Sequence, residues 1–251
     1  MIPKIIHYCW FGGNPLPPFA CKCIESWKKF LPDYEIKEWN EENFDVNSVP
    51  YVREAYNEKK YAFVSDYVRF FVLYKFGGLY FDTDVEIINN VDDIIARGPF
   101  MGCENYPPKD CYPQVAPGLG LGAESGMLLY KNILDMYRKM HFLDANGQQI
   151  PGTVVTFTTE LLVEKGLKKE GAVQNVGGVW IYPKDYFCPM DYITGNIDIT
   201  KNSRTIHHYS ATWLPWYGKF EKWICHKLGL RYRDFLHRNV PKIKNIFGGK
   251  K

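Results

Sequence analysis

Two aspartates stand two positions apart in "GGLYFDTDVE" (residues 77–86), where Asp82 and Asp84 end a short apolar run that follows a glycine pair. Read as an extended strand, this run points both carboxylates to one face and Thr83 to the other, because strand side chains alternate. Two carboxylates converging at a strand end either hold a hard divalent cation or repel each other at a cost. Asp66 and Arg69, three positions apart in "SDYVRFFVLYKF", fall on one face of a predicted helix. Alone they read as an intrahelical ion pair. All four residues lie within 19 positions and are joined by one tight turn, which favours a shared polar site. A cation held by Asp82 and Asp84 keeps open positions for phosphate oxygens. Two phosphates and a metal describe a nucleoside diphosphate, a leaving group whose growing charge the cation neutralises. Asp66 and Arg69 would then hold hydroxyls of a group on the far phosphate, which makes a nucleotide-sugar site.

The elements that must position these residues alternate between strand and helix. "IPKIIHYCWFGG" reads as a strand closed by a glycine turn, and "FACKCIESWKKFLPDY" as a helix stopping before Pro32. "YEIKEWN" alternates like a strand. A short and a longer helix follow, up to the Gly77-Gly78 stop, and then the strand with the two acids. Beyond it come a short helix ("DDIIARG"), strands at "PFMGCEN" and "LGLGAESG", and a clear helix at "GMLLYKNILDMYRKM". "TVVTFTTELLVEKG" is expected to be helical over its second half, "VWIYPKDYFCPM" to be a strand entering a loop, and "RTIHHYSATW" a late strand. This order predicts an α/β sheet with irregular loops at strand ends.

The bulk numbers fit a globular chain of 251 residues, with 46% hydrophobic and 24% charged residues. Seven cysteines without a C-x-x-C pair argue against a disulfide framework or a zinc ribbon and for reduced thiols. No stretch approaches the roughly 18 apolar residues of a membrane span, so a cytoplasmic location is expected. Residues 219–251 hold ten Lys/Arg against two acids, whereas the rest is mildly acidic. We therefore expect a domain over 1–218 and a basic helical tail over 219–251. The tail reads either as helices packed on the domain or as a surface for anionic lipid on the inner face of the cell membrane. Nucleic acid is not an expected partner.

"IPKIIHYCWFGG", "YAFVSDYVRF..LYKFGGLYFDTDVE" and "HHYSATW", in that order, resemble the DXD-containing glycosyltransferases of family 32. More distantly, they are similar to the glucosylating domains of large clostridial toxins. The strong match covers about residues 2–95, with a short return near 207–213. The resemblance implies a GT-A type nucleotide-diphospho-sugar transferase fold, with a mixed central sheet and a C-terminal helical appendage. It also implies retaining, metal-dependent transfer of a hexose from a nucleotide-sugar donor, a UDP-sugar before GDP-mannose. The acceptor would be a glycan or lipid-linked oligosaccharide in surface polysaccharide synthesis. Carried over, Trp10 would stack on the donor's base, and Asp66 and Arg69 would hold sugar or ribose. Asp84 would bind Mn²⁺ (or Mg²⁺), and Asp82 would contact ribose or sugar and the metal. His208 would be a further metal ligand, with Ser210 and Trp213 near the β-phosphate. Strand alternation lets only one of His207 and His208 face Asp84.

Retention through a covalent intermediate needs a carboxylate at the anomeric carbon. Glu104, Glu160, Asp185 and Asp191 occupy loop or strand-end positions, and none of them is singled out. A front-face mechanism, in which the leaving phosphate takes the acceptor's proton, is therefore the default. Two rivals remain. A carbohydrate-binding scaffold would explain the aromatics but leave the four charged residues unused. "FDTDV" also opens haloacid-dehalogenase-like phosphotransferases, but Asp92-Asp93 follows too closely for their distal acidic pair.

Overall fold

The computed structural model describes residues 1–210, 223–225 and 227. These belong to two compact units, one of residues 1–189 with 199–208 and one of 190–198 with 209–251. The expected boundary at 218/219 and nearly all of the basic tail lie outside the described residues.

The larger unit is built on a seven-stranded sheet in the order β2-β1-β3-β6-β5-β8-β7. β1 (Ile5–Cys9) runs parallel to both β2 (Glu35–Trp39) and β3 (Gly78–Tyr80). β6 (Leu121–Ala123) is antiparallel to β3 and to β5 (Phe100–Gly102). β8 (Val179–Tyr182) is parallel to β5, and β7 (Gln174–Val176) closes the edge antiparallel to it. Five strands thus point one way, and the carboxyl ends of β1, β3 and β5 share one edge with the entry to β6. Ligands of open α/β sheets bind outside that edge.

The helices follow from their patterns. α1 (Pro18–Phe30) starts on Pro18 and buries Ala20, Cys23, Ile24 and Trp27, a three-and-four spacing along one stripe. α2 (Pro50–Asn57) buries Tyr51, Val52 and Ala55 and packs on α3 (Tyr61–Phe76), which also packs on α5 (Leu128–Tyr137). α3 is apolar around most of its circumference. Val68, Phe70, Val72 and Leu73 are fully buried, each contributing about 1.5–3 kcal/mol of hydrophobic burial. Gly77 ends the helix at φ +67° and donates its N–H to Leu73 O at 2.8 Å. Behind this turn, buried His7 accepts from Trp39 Nε1 (3.0 Å) and donates through Nε2 to Gly77 O (2.9 Å). Burial pushes the pKa of His7 down to about 4.

The structure differs from the sequence expectation in several places. β3 ends at Tyr80, so Asp82 and Asp84 do not sit on a strand. They occupy a tight turn, closed by Val85 N–H donating to Asp82 O at 3.0 Å. β4 (Val85–Ile87) then leaves the main sheet and pairs antiparallel with β9 (Thr205–His207). α6 (Val154–Glu164) is helical throughout, because Thr153 caps it by accepting from Thr156 N. α4 (Asp92–Arg97) is as expected, whereas β7 and the short α7 (Lys184–Phe187) were not predicted.

In the second unit, Asp191 Oδ1 accepts from Ile193 N (2.9 Å) and Thr194 N (2.7 Å), and the Tyr192 and Tyr209 rings meet edge-on at 5.0 Å.

Candidate active site

The turn after β3 gathers charge from three directions. From α3, Arg69 reaches Asp66 Oδ1 at 2.9 Å and Asp82 Oδ1 at 3.4 Å, while its Nε donates to Ser65 O at 3.1 Å. From β3, Tyr80 OH donates to the same Asp82 oxygen at 3.0 Å, and the guanidinium lies 5.1 Å from the Tyr80 ring centroid. From the loop before β6, Gly118 O accepts from Asp82 N at 3.1 Å. A Cβ added at Gly118 would stand 2.0 Å from Asp82 Oδ2 and 3.2 Å from Arg69 Nη1. Gly118 does not have a left-handed backbone, so it is the close approach to this charge pair that excludes a side chain there.

β9 supplies the other side. His207 Nε2 lies 3.1 Å from Asp84 Oδ1 and 4.0 Å from Asp82 Oδ2. The site is reached this way because His208 N donates to Asp84 O (3.0 Å), continuing the β4–β9 pairing. His208 itself turns away: its Nε2 meets Glu86 Oε2 at 2.8 Å and its ring stands edge-on to Phe19. The histidine beside the acids is therefore His207 and not the expected His208. Side-chain alternation along β9 leaves room for one of the two, and the register selects His207.

The electrostatics divide the site. Arg69 is buried, which disfavours its charge, but Asp82, Tyr80 and Asp66 raise its pKa above even the usual guanidinium value. Asp66 is buried beside that single guanidinium, which Asp82 shares. Burial pushes its carboxyl up to about 7 against the pull of Arg69, and the Asp82 charge adds to the rise. Burial works against a charged His207 as well, yet Asp84, by charge and hydrogen bond, then Asp82 and Glu104, raise its pKa. One ligand atom each from Asp82, Asp84 and His207 lies within 4.8 Å of the others. Two carboxylates and an imidazole are a fitting donor set for Mn²⁺, and for Mg²⁺ through the carboxylates.

Other expected residues are placed as follows. Trp10 follows β1, is half-buried and donates from Nε1 to Asn14 O at 2.6 Å, walling a pocket of about 480 Å³. Ser210 belongs to the second unit, and Trp213 lies outside the described residues. Of the four unassigned acids, Asp185 is engaged by Asn202 Nδ2 (2.8 Å) and Thr200 Oγ1 (3.3 Å), bracing the segment that leads into β9. Asp191 builds its own turn, and Glu160 is exposed on α6. Glu104, just past β5, is the one in electrostatic reach of His207, and burial raises its pKa. Sequence reasoning missed Tyr80 and Gly118. Only the glycine-rich "APGLGLG" hinted that a backbone must come close.

Residues 18–101 match the family described as "Glycosyltransferase sugar-binding region containing DXD motif". The matched span runs from α1 to β5 and includes Asp66, Arg69, Asp82 and Asp84. About a third of the chain is thus similar to the DXD-containing sugar-binding region of glycosyltransferases. It is 35% identical over 98 residues to inositol phosphoceramide mannosyltransferase 3 of Schizosaccharomyces pombe, covering 38% of this chain and 27% of the relative. It is 32% identical over 107 residues to the uncharacterized glycosyltransferase L373 of Acanthamoeba polyphaga mimivirus, covering 40% and 43%. The chain therefore spans less than half the length of these curated relatives. Among solved structures, the PaToxG glycosyltransferase aligns at 18% identity and TM-score 0.47, over 66% of this chain and 70% of that one. A glycosyltransferase involved in glycosylation of the PBCV-1 major capsid aligns at 10% identity and TM-score 0.47, over 90% and 100%.

Proposed function

We propose that this chain is a metal-dependent, retaining glycosyltransferase that moves a hexose from a nucleoside-diphosphate donor to a glycan or lipid-linked acceptor. The observation that carries the reading is the convergence of Asp82, Asp84 and His207 beside the Arg69–Asp66 pair, at the carboxyl edge of the sheet. A divalent cation held by Asp82, Asp84 and His207 would neutralise the charge that grows on the diphosphate as the glycosidic bond breaks. Arg69 and Asp66 bind and orient sugar or ribose hydroxyls, Arg69 as donor and Asp66 as acceptor. Arg69 and Tyr80 together fix Asp82 in its rotamer. Trp10 offers a ring face to the base.

Retention then proceeds on one face of the sugar. The C1–oxygen bond to the β-phosphate breaks, the acceptor oxygen bonds to C1, and its proton passes to the departing phosphate oxygen. The mixed seven-stranded sheet, with the site at its carboxyl edge, is consistent with this reading. The acceptor reading draws on a relative named for mannosylating inositol phosphoceramide, and a role in surface polysaccharide synthesis at the inner face of the membrane belongs to the same proposal. Among the described residues no helix is long and apolar enough to cross a membrane.

The test is donor hydrolysis across a panel of nucleotide sugars, with and without Mn²⁺, for the wild type and Asp84→Ala. Metal-dependent turnover of one donor, lost in the variant, is expected. Absence of both turnover and metal-dependent nucleotide binding would overturn the reading.

A further inference from the structure

The pocket beside Trp10 has a distinctive chemistry. Its walls are set: the indole is pinned by Asn14 O, and a Cβ on Gly12 would stand 2.4 Å from the Tyr61 ring, so the β1 turn packs directly against α3's first residue. Glu38, Glu41 and Glu42 face this space, and no lysine or arginine does so among the described residues. Two of the three carboxylates are committed to the wall. Glu38 accepts from Tyr8 OH (2.6 Å) and Asn40 Nδ2 (2.9 Å). Glu41 Oε1 accepts from Gly12 N (2.6 Å) and Tyr56 OH (2.9 Å), which leaves Oε2. Glu42 is held only by its backbone, its N–H donating to Asn40 Oδ1 at 2.9 Å, and its carboxylate takes no hydrogen bond from a described residue.

We infer that the donor's base is guanine and that Glu42, with Glu41 Oε2, selects it. This rests on the nucleotide-sugar reading above and names its substrate class more narrowly, in place of the UDP-sugar that the resemblance favours. An aromatic pocket rich in acceptors and without cations suits a flat ring that presents several donors. Guanine presents N1–H and the exocyclic N2–H₂ side by side, which the two oxygens of one carboxylate accept together. Uracil presents a single N3–H flanked by two carbonyl oxygens, both of which a carboxylate repels. Adenine and cytosine each place an acceptor nitrogen next to their amino group, so neither offers the paired donors.

The test is calorimetric titration with GDP and with UDP, each in the presence of Mn²⁺, on the wild type, Glu42→Gln and Glu41→Gln. Gln at 41 keeps an oxygen for Gly12 and Tyr56, so the wall survives that change. Charge-assisted hydrogen bonds of this kind correspond to about 10- to 100-fold in affinity. GDP is expected to bind tighter than UDP by about that factor, and Glu42→Gln to erase most of the difference by weakening GDP alone. Equal or tighter binding of UDP, or a GDP preference untouched by both substitutions, overturns the inference while leaving the nucleotide-sugar reading standing. If neither nucleotide binds with Mn²⁺, that reading falls and this inference with it.

Discussion

Asp82 and Asp84 are near neighbours in the chain but stand in different surroundings. Asp82 faces the α3 side, where Arg69, Tyr80 and the Gly118 backbone hold it. Asp84 faces β9, where its side-chain neighbour is His207. The first neighbour is a guanidinium that stays charged at any ordinary pH, the second an imidazole, which can be neutral or charged and whose pKa the nearby acids raise. One side of the site is thus a permanent counter-charge built into the core. The other is exchangeable, able to give up its proton when a cation arrives. The permanent side should dominate stability and the exchangeable side should dominate metal binding.

Arg69→Met tests the permanent side most severely. It leaves Asp66 and Asp82 without their counter-charge and should lower unfolding stability by about 3–5 kcal/mol in a denaturant titration. Asp84→Ala should do the reverse. Donor hydrolysis falls by about 10²–10³-fold, while the melting temperature holds or rises because one of two close carboxylates is gone. A large drop in melting temperature would erase the division between the two sides.

Acid supplies a third lever, in the core behind the Gly77 turn. His7 is buried neutral with its pKa lowered from 6.5 to about 4. At His7 the folded state therefore binds fewer protons than the unfolded chain between those values. His7's own contribution, fully present above pH ~6.5, should fall by about 3 kcal/mol as pH drops towards 4, while Asp66, whose pKa is raised to about 7, works in the opposite direction over the same window. The difference between the wild-type and His7→Gln pH profiles isolates the His7 part. Smaller still, His207→Gln should weaken Mn²⁺ binding about 10- to 100-fold, as loss of a ligand or its partner does. His208→Gln should change it by less than about twofold, like other peripheral changes. Gly118→Ala should cost about 1–3 kcal/mol, the usual range of overpacking, because the added Cβ forces Asp82 out of the rotamer that Arg69 and Tyr80 hold. Weaker Mn²⁺ binding should accompany that loss.

The same division marks what could be read from the sequence. The α3 side comes from 19 consecutive residues, and periodicity, the Gly77-Gly78 stop and the acid spacing were enough to assemble Asp66, Arg69, Asp82 and Asp84. The alternating elements also gave the α/β sheet. The surroundings of Asp84 were not legible in the same way. The apolar run before the acids looks like one strand, but the chain bends at Asp82 because Val85 onward pairs with β9, and nothing local records that partner. The choice between His207 and His208 depends on the register of the same long-range pairing. β7 was missed because Gln174–Val176 is three residues long and mostly polar. Gly118 was missed because its reason for being glycine is an atom contributed by another segment.

The β4–β9 pairing also sets when the site comes into being. During synthesis the side chains of the α3 side are all present once the chain has passed Asp84, the Gly118 backbone follows, and the local contacts among Asp66, Arg69, Tyr80 and Asp82 form early. The imidazole arrives only after Thr205–His207 has left the ribosome and docked on β4. Until then the nascent chain holds Asp82 beside Arg69 while His207 is absent from Asp84. On the metal-dependent reading proposed above, loading with metal would be deferred to the last steps of folding, and a chain released before residue 207 would lack the imidazole beside the two acids.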